Sequence, residues 1–172
     1  PSSAQGVTVD SAKVGVFSDP GAQFRPGLNQ ELFDVATVFS KWCNDLGGLD
    51  GRKIVVNRHD SALFEVKARM FEACRDDFYL VGGGAVFDQD GVVPRLQCLL
   101  PEIPAYVVSD EARGADLSTP GNPNPLGVLN IGAMRYLDRR FPEDTDHIGL
   151  LTGDVNTTKV VAAQLRDAAR GT

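Results

Sequence analysis

The sequence predicts an α/β fold with a doubly wound parallel sheet, and three observations carry that expectation. Apolar runs of strand length alternate with stretches whose apolar residues recur every three or four positions, the pattern of βαβ units. Four such runs and three helical crossovers occur before residue 110. The chain's 172 residues, 42% of them apolar, are enough to bury a core.

Taken in order, K-V-G-V-F-S (Lys13 to Ser18) reads as the first strand. Leu28, Leu32, Val35, Ala36, Phe39, Cys43 and Leu46 then define one buried helical stripe that ends at Gly47. I-V-V-N (Ile54 to Asn57) is the second strand, followed by a helix from about Ala62 to Arg75 that carries Leu63, Val66, Met70 and Cys74 inward. F-Y-L-V-G (Phe78 to Gly82) is the third. A glycine-rich turn leads to a short helix around Val92 to Leu100, with Pro94 in its first turn, and then to the strand A-Y-V-V (Ala105 to Val108).

Between Asp110 and Pro125 three prolines and two glycines leave little room for helix or central strand, so a break between units is expected there. Beyond it, Leu126, Leu129, Ala133, Met134 and Leu137 mark a helix, His147 to Leu151 a strand, and Val160 to Ala169 a last helix stopped near Gly171. One helix, one strand and one helix are too little to form a layer alone.

Seventeen cationic against twenty-three anionic side chains give a net charge of −6, which supplies no basic face for a nucleic acid or an anionic membrane. No run of eighteen apolar residues spans a membrane, and Pro1 to Gly6 lacks the cationic and apolar parts of a secretion signal. Residues 1–10 read as a small, polar, flexible tether.

The stretch N-D-L-G-G-L-D-G-R-K-I (Asn44 to Ile54) resembles a phosphate loop in composition, but phosphate loops leave a strand and enter a helix. This one does the reverse, so its glycines are expected to cap the first helix. Gly82-Gly83-Gly84 is better placed, at the carboxyl end of the third strand. Phe87 stands where a dinucleotide fingerprint needs glycine and no G-K-[ST] follows, leaving close backbone approach to a small ligand or relief of a crowded turn as its two readings.

Asp88-Gln89-Asp90-Gly91 misses the spacing of a calcium loop and reads as a helix start. His59 and His147 lack paired ligand spacing, so no metal site and no cofactor are expected. No nucleophile elbow occurs, and Asp60 and Asp110, each after a strand, read as caps before they read as acid–base groups. With strand order 2-1-3-4, right-handed crossovers set the helices of Cys74 and Cys98 side by side and the Cys43 helix on the other face. A Cys74–Cys98 disulfide is therefore expected, against the alternative of three buried thiols, and it implies an oxidising compartment.

The first strand, the helix ending N-D-L-G-G-L-D-G-R-K-I, the strand running into His59-Asp60, the third strand ending in Gly82 to Gly84, and L-P-E-I-P-A-Y together resemble the type I periplasmic binding proteins. The likeness is to the Leu/Ile/Val-binding receptors of branched-chain amino acid ABC importers, and it is strongest from Lys13 to Ser109. It implies two α/β lobes closing on a small molecule without chemistry, an extracytoplasmic placement in the periplasm or at the cell surface, and an ABC importer permease as membrane partner. Lipid anchorage through a removed N-terminal segment is one form of that placement.

By the resemblance, residues 11–119 form the N-terminal lobe, 120–126 the crossover or hinge, and 127–172 the opening portion of a second lobe, so that the receptor is incomplete. Ligand contacts carried over by position are Ser18 and Asp19 after the first strand, Gly83, Gly84, Ala85, Val86 and Phe87 after the third, and Ser109 and Asp110 after the fourth. Thr152, Gly153 and Asp154 face them from the second lobe. Two departures from the family put an amino-acid ligand in question: Ala85-Val86-Phe87 replaces the usual serine or threonine, and Thr152 to Asn156 replaces a tyrosine-glycine pair. A ligand-sensing domain of the same fold is the alternative, and a doubly wound enzyme the more distant one.

Overall fold

In the computed structural model, which describes residues 4–129, 131–145 and 147–171, four parallel strands form one sheet in the order β2-β1-β3-β4. β1 (Ser11–Ser18) is followed by α1 (Gln30–Asp45), β2 (Lys53–Asp60), α2 (Val66–Asp76), β3 (Tyr79–Val81), α3 (Gln89–Gln97) and β4 (Glu102–Ile103). β1 and β2 pair in register from Ser11 opposite Lys53 to Ser18 opposite Asp60, so both strands end at one rim. Three further helices follow: α4 (Asp110–Arg113), α5 (Gly132–Arg140) and α6 (Asn156–Arg170).

Phe17, Val66, Met70, Ala73, Leu80, Ala85 and Leu100 form the core where α2 and α3 cover the sheet. The expected bridge is present: Cys74 on α2 and Cys98, which ends α3, are joined, and Cys43 is free. Arg95 fastens the outer edge of the same face. Its buried guanidinium donates to the carbonyls of Leu100, Asp116 and Leu117 at 3.0–3.1 Å and lies 3.1 Å from Glu102. Burial lowers the arginine's pKa and raises that of the glutamate, each opposed by the other's charge.

The turn after α1 behaves as its direction required. Gly47 and Gly48 adopt φ of 108° and 76°, and a side chain on Gly48 would meet the Arg52 carbonyl. Asn44 locks the return, donating to the Ile54 carbonyl at 2.9 Å and accepting from its N–H at 2.7 Å.

Several expectations are corrected. No residue of the stripe expected on α1 is fully buried: Leu28, Leu32, Ala36 and Cys43 are half-buried, Val35, Phe39 and Leu46 are 56–71% exposed, and the residue of α1 that is covered is Phe33, outside the stripe. α2 starts at Val66, because Ala62 and Leu63 take positive φ in a turn. α3 starts earlier, at Gln89, which places Pro94 in its second turn. The fourth strand is Glu102–Ile103 rather than 105–108, since Pro104 has no N–H to continue the ladder.

In the last third, helix begins at Gly132 rather than Leu126, with Gly127 at φ 72° in between. Residues 147–151 form no ladder, because no described strand lies beside them. α6 extends further toward the N-terminus than its apolar period suggested. Of the tether, residues 4–10 lie against the lobe: Lys13 N–H donates to the Gly6 carbonyl at 2.8 Å, Gln5 to the Asp77 carbonyl at 3.0 Å, and Arg52 to the Thr8 carbonyl at 3.1 Å. Residues 1–3 lie outside the described residues.

Titration of denatured, unreduced protein should find one thiol, Cys43. Replacing Cys74 and Cys98 together with serine should lower the unfolding free energy in urea by about 3 kcal/mol, the value expected for closing a loop of this length. Three free thiols would exclude the bridge in solution.

Candidate functional site

The carboxyl ends of β1, β2 and β3 converge on Asp19, which immediately follows β1 and is fully buried. Its Oδ1 accepts from the Ser61 hydroxyl at 2.6 Å and the Leu63 N–H at 2.8 Å, and its Oδ2 accepts from the Val86 N–H at 2.9 Å. One carboxylate thus holds the loops that leave β2 and β3 against the one that leaves β1. Asp60 forms the neighbouring turn, accepting from the N–H groups of Gly21 and Ala62 at 3.1 and 3.0 Å.

A second carboxylate does the same on the other side. Asp88 accepts from the Val108 N–H at 2.6 Å and the Ser109 N–H at 3.0 Å, tying the loop after β3 to the segment before α4. Burial raises its pKa, opposed by these donors, which favour the charged form. Ser109, rather than Asp110, caps α4, its hydroxyl accepting from the Ala112 N–H at 3.1 Å.

The glycines after β3 serve close packing. A side chain on Gly83 would meet the backbone of Phe17, and one on Gly84 the ring of Tyr106. The Tyr106 hydroxyl accepts from the Asn29 side chain at 2.8 Å, and its pKa is pushed up first by burial and next by the charge of Asp19. Between these glycines and α3 lies a cavity of about 50 Å³, bordered by Asp88, Arg95 and Glu102, room for a few waters and not for a solute.

A larger space lies outside this rim. Val86 and Val108 face Leu150, Thr152, Thr157 and Val161 across a cleft of about 370 Å³, within the range of small-molecule sites. Its walls are almost wholly apolar. α6 supplies one wall because one of its faces presents Thr157, Thr158, Val161, Ala162 and Leu165 at helical spacing.

Of the residues expected at the site, Val86, Thr152 and Gly153 line this cleft. Ser18 is buried beneath the rim and donates to the Asn29 carbonyl at 2.7 Å, while Gly83, Gly84 and Ala85 border the small inner cavity. Phe87 packs on the core and stacks on Phe64, ring centroids 5.3 Å apart. Asp110 pairs with Arg113 at 2.9 Å, and Asp154, 94% exposed, pairs with Lys159 at 2.5 Å.

Val108, Thr157 and Val161 were not anticipated. Val108 could have been found from its place after the fourth strand; the α6 residues carry no signal without the fold. His59, read as a strand-end residue, is a buried structural group: its Nε2 lies 2.7 Å from Asp77, and its ring stacks on Phe17. Among the described residues no cluster of three or more metal-ligating side chains occurs.

No family profile and no curated protein sequence matches the chain. Solved structures do. A fatty acid ABC transporter substrate-binding protein from Thermomonospora curvata superposes with a TM-score of 0.69 at 13% identity, over 98% of this chain and 43% of that one. The branched-chain amino acid transporter substrate binding protein LivJ from Streptococcus pneumoniae, solved with isoleucine, gives 0.67 at 16%, over 92% and 47%. An ABC transporter substrate-binding protein from Desulfitobacterium hafniense gives 0.67 at 17%, over 94% and 48%. At such identities the likeness establishes the fold, and the chain spans less than half the length of each of these proteins.

Asp19→Ala leaves the N–H groups of Leu63 and Val86 without their acceptor, while the Ser61 hydroxyl keeps the Ser18 carbonyl at 3.1 Å, and should cost roughly 2–3 kcal/mol in urea unfolding. Asp19→Asn, which keeps an acceptor, should cost less. A loss below about 1 kcal/mol for the alanine variant would show that the loops hold without this carboxylate.

Proposed function

We propose that the chain belongs to an extracytoplasmic solute-binding protein, which captures a small organic molecule between two α/β lobes and delivers it to the permease of an ABC importer. The observation that carries this reading is the apolar cleft of about 370 Å³ at the carboxyl rim of a 2-1-3-4 sheet, walled on its far side by α6. Open α/β sheets bind ligands at this rim, where strand order reverses. Three solved structures of ABC transporter substrate-binding proteins share the fold, which supports the same role.

The reading assigns residues 11–119 to the first lobe and 127–172 to the second, joined across 120–126. Ligand contact falls to Val86, Val108, Thr152 and the α6 wall. Asp19, Ser18, Ser109 and the glycines at 83 and 84 contribute by holding the rim loops in place. Closure of the lobes would be selected by contacts available only when both walls touch the solute. No step of this reading requires a nucleophile or a cofactor.

Native mass spectrometry of the full-length protein should show a co-purified small molecule or, after its removal, rebinding from a solute library. Val161→Asp places a charge in the apolar wall and should weaken that binding by about tenfold or more, while a partly exposed helix position keeps the fold intact. Unchanged affinity would move the site elsewhere. Turnover of the bound molecule would replace the reading with an enzyme.

A further inference from the structure

The crossover is fastened to the first set of strands as far as Leu126 and is free just beyond it. The Gly121 N–H donates to the Pro104 carbonyl at 3.1 Å, and the Asn124 side chain to the Val107 carbonyl at 3.0 Å. Leu126 packs so closely on Gly114 that a side chain there would meet its Cδ1. Pro120, Pro123 and Pro125 stiffen the same stretch by fixing φ. Gly127 is the contrast, with φ of 72° and nothing within 4 Å of where a side chain would stand. A rotation there carries α5 and α6 with it and leaves the fastened stretch in place.

Arg113 reaches across that pivot. On the near side its guanidinium donates to the Asn124 and Pro125 carbonyls at 2.9 and 2.6 Å and to Asp110 at 2.9 Å. On the far side it meets Gln164 of α6, whose side-chain oxygen accepts from both terminal nitrogens and lies 3.3 Å from Nη2. The amide presents its oxygen there because its nitrogen would set donor against donor. The arginine side chain is 4% exposed, and charge-assisted hydrogen bonds are strongest where water is excluded. Rotation at Gly127 spares the near bonds and breaks the far one. A bond made in one arrangement and lost in another biases the equilibrium between them.

The pair is well placed to act on the cleft. Gln164 stands one turn beyond Val161 on α6 and beside Leu165, both in one wall, and Arg113 follows Val108 of the opposite wall by five residues. Neither Arg113 nor Gln164 borders the cleft itself. Their bond therefore sets the separation of the two walls without touching what lies between them.

We propose, on the footing of the solute-binding role, that Arg113 and Gln164 form a latch across the crossover. It is closed when α6 stands over the rim and broken when that wall swings away at Gly127. The latch fixes the fraction of solute-free molecules in which the cleft is already assembled, and apparent affinity scales with that fraction. Both are positioning residues: they act on the solute through the wall they hold.

The test uses the full-length, solute-free protein with nitroxide labels on two exposed positions, Lys67 of α2 and Arg166 of α6, and Cys43 replaced by serine so that it takes no label. Electron–electron distance measurements then read the balance between arrangements. Gln164→Ala removes the acceptor from a half-buried helix position and should shift that balance toward the wider separation by roughly three- to tenfold, with the melting temperature unchanged. Gln164→Glu keeps an oxygen at the same reach and should hold the balance at or beyond that of the parent toward the narrow separation.

An unchanged distance distribution in Gln164→Ala would overturn the latch, and so would the same widening in Gln164→Glu, which would trace it to helix packing instead of the acceptor. The solute-binding role is read separately, by native mass spectrometry of the unlabelled protein. A co-purified molecule alongside an unchanged distribution ends the latch and keeps the role. The expected shift in a protein that neither carries nor rebinds any solute keeps the latch and ends the role.

Discussion

The architecture of the rim depends on one buried carboxylate. Three parallel strands end side by side, and each must hand its chain to a loop whose backbone polar groups need partners. Asp19 accepts from the loops after β2 and β3 while belonging to the loop after β1, so a single group sets the relative height of all three. The turn it holds is not a relaxed one. Ala62 and Leu63 both sit at positive φ, a conformation costing about 1–2 kcal/mol per residue, which persists because Asp60 and Asp19 take up the N–H groups it exposes.

That constraint decides what the rim can offer a ligand. Donors aimed inward at Asp19 and Asp88 are withdrawn from the cleft, so the surface left facing α6 is made of valine side chains. The same backbone approach that makes glycine obligatory at positions 83 and 84 pulls the loop down onto Phe17 and Tyr106. Rigidity and apolarity of the rim therefore share one origin. The disulfide and the buried Arg95–Glu102 pair extend the stiffness to the α2–α3 face, whereas α1 keeps Val35, Val38, Phe39 and Trp42 largely exposed.

What could be read from the sequence was the part governed by local chemistry and direction. Gly47-Gly48 closes a helix, so it caps; Cys74 and Cys98 follow from strand order and handedness; the alternation of periods yields the sheet. The strand at Glu102–Ile103 was misplaced by three residues, because a V-V pair looks more strand-like than an isoleucine before proline, yet ladder bonds depend on the neighbour β3 and on the N–H that Pro104 lacks. The candidate site was legible as a rim and not as a set of contacts. Asp19 stood at the end of the first strand as expected and Ser109 at the start of α4 instead of at a strand end, but only tertiary structure shows that their polar atoms are spent on the protein itself. Thr157 could not be picked out, since its burial depends on α6 meeting the cleft.

The segment that leaves the first set of strands is clamped at its end. Arg113, 4% exposed, donates to the carbonyls of Asn124 and Pro125 at 2.9 and 2.6 Å, and the Asn124 side chain donates to the Val107 carbonyl at 3.0 Å. A rotation between the two parts of the chain that pivoted at Asn124–Pro125 would break all three bonds, each charge-assisted one worth about 1.5–3 kcal/mol. Gly127, two residues on, has φ of 72° and open space where a side chain would stand. Backbone compliance is therefore least costly just past Pro125, where rotation would leave the rim and its carboxylates undisturbed and move only the α6 wall of the cleft.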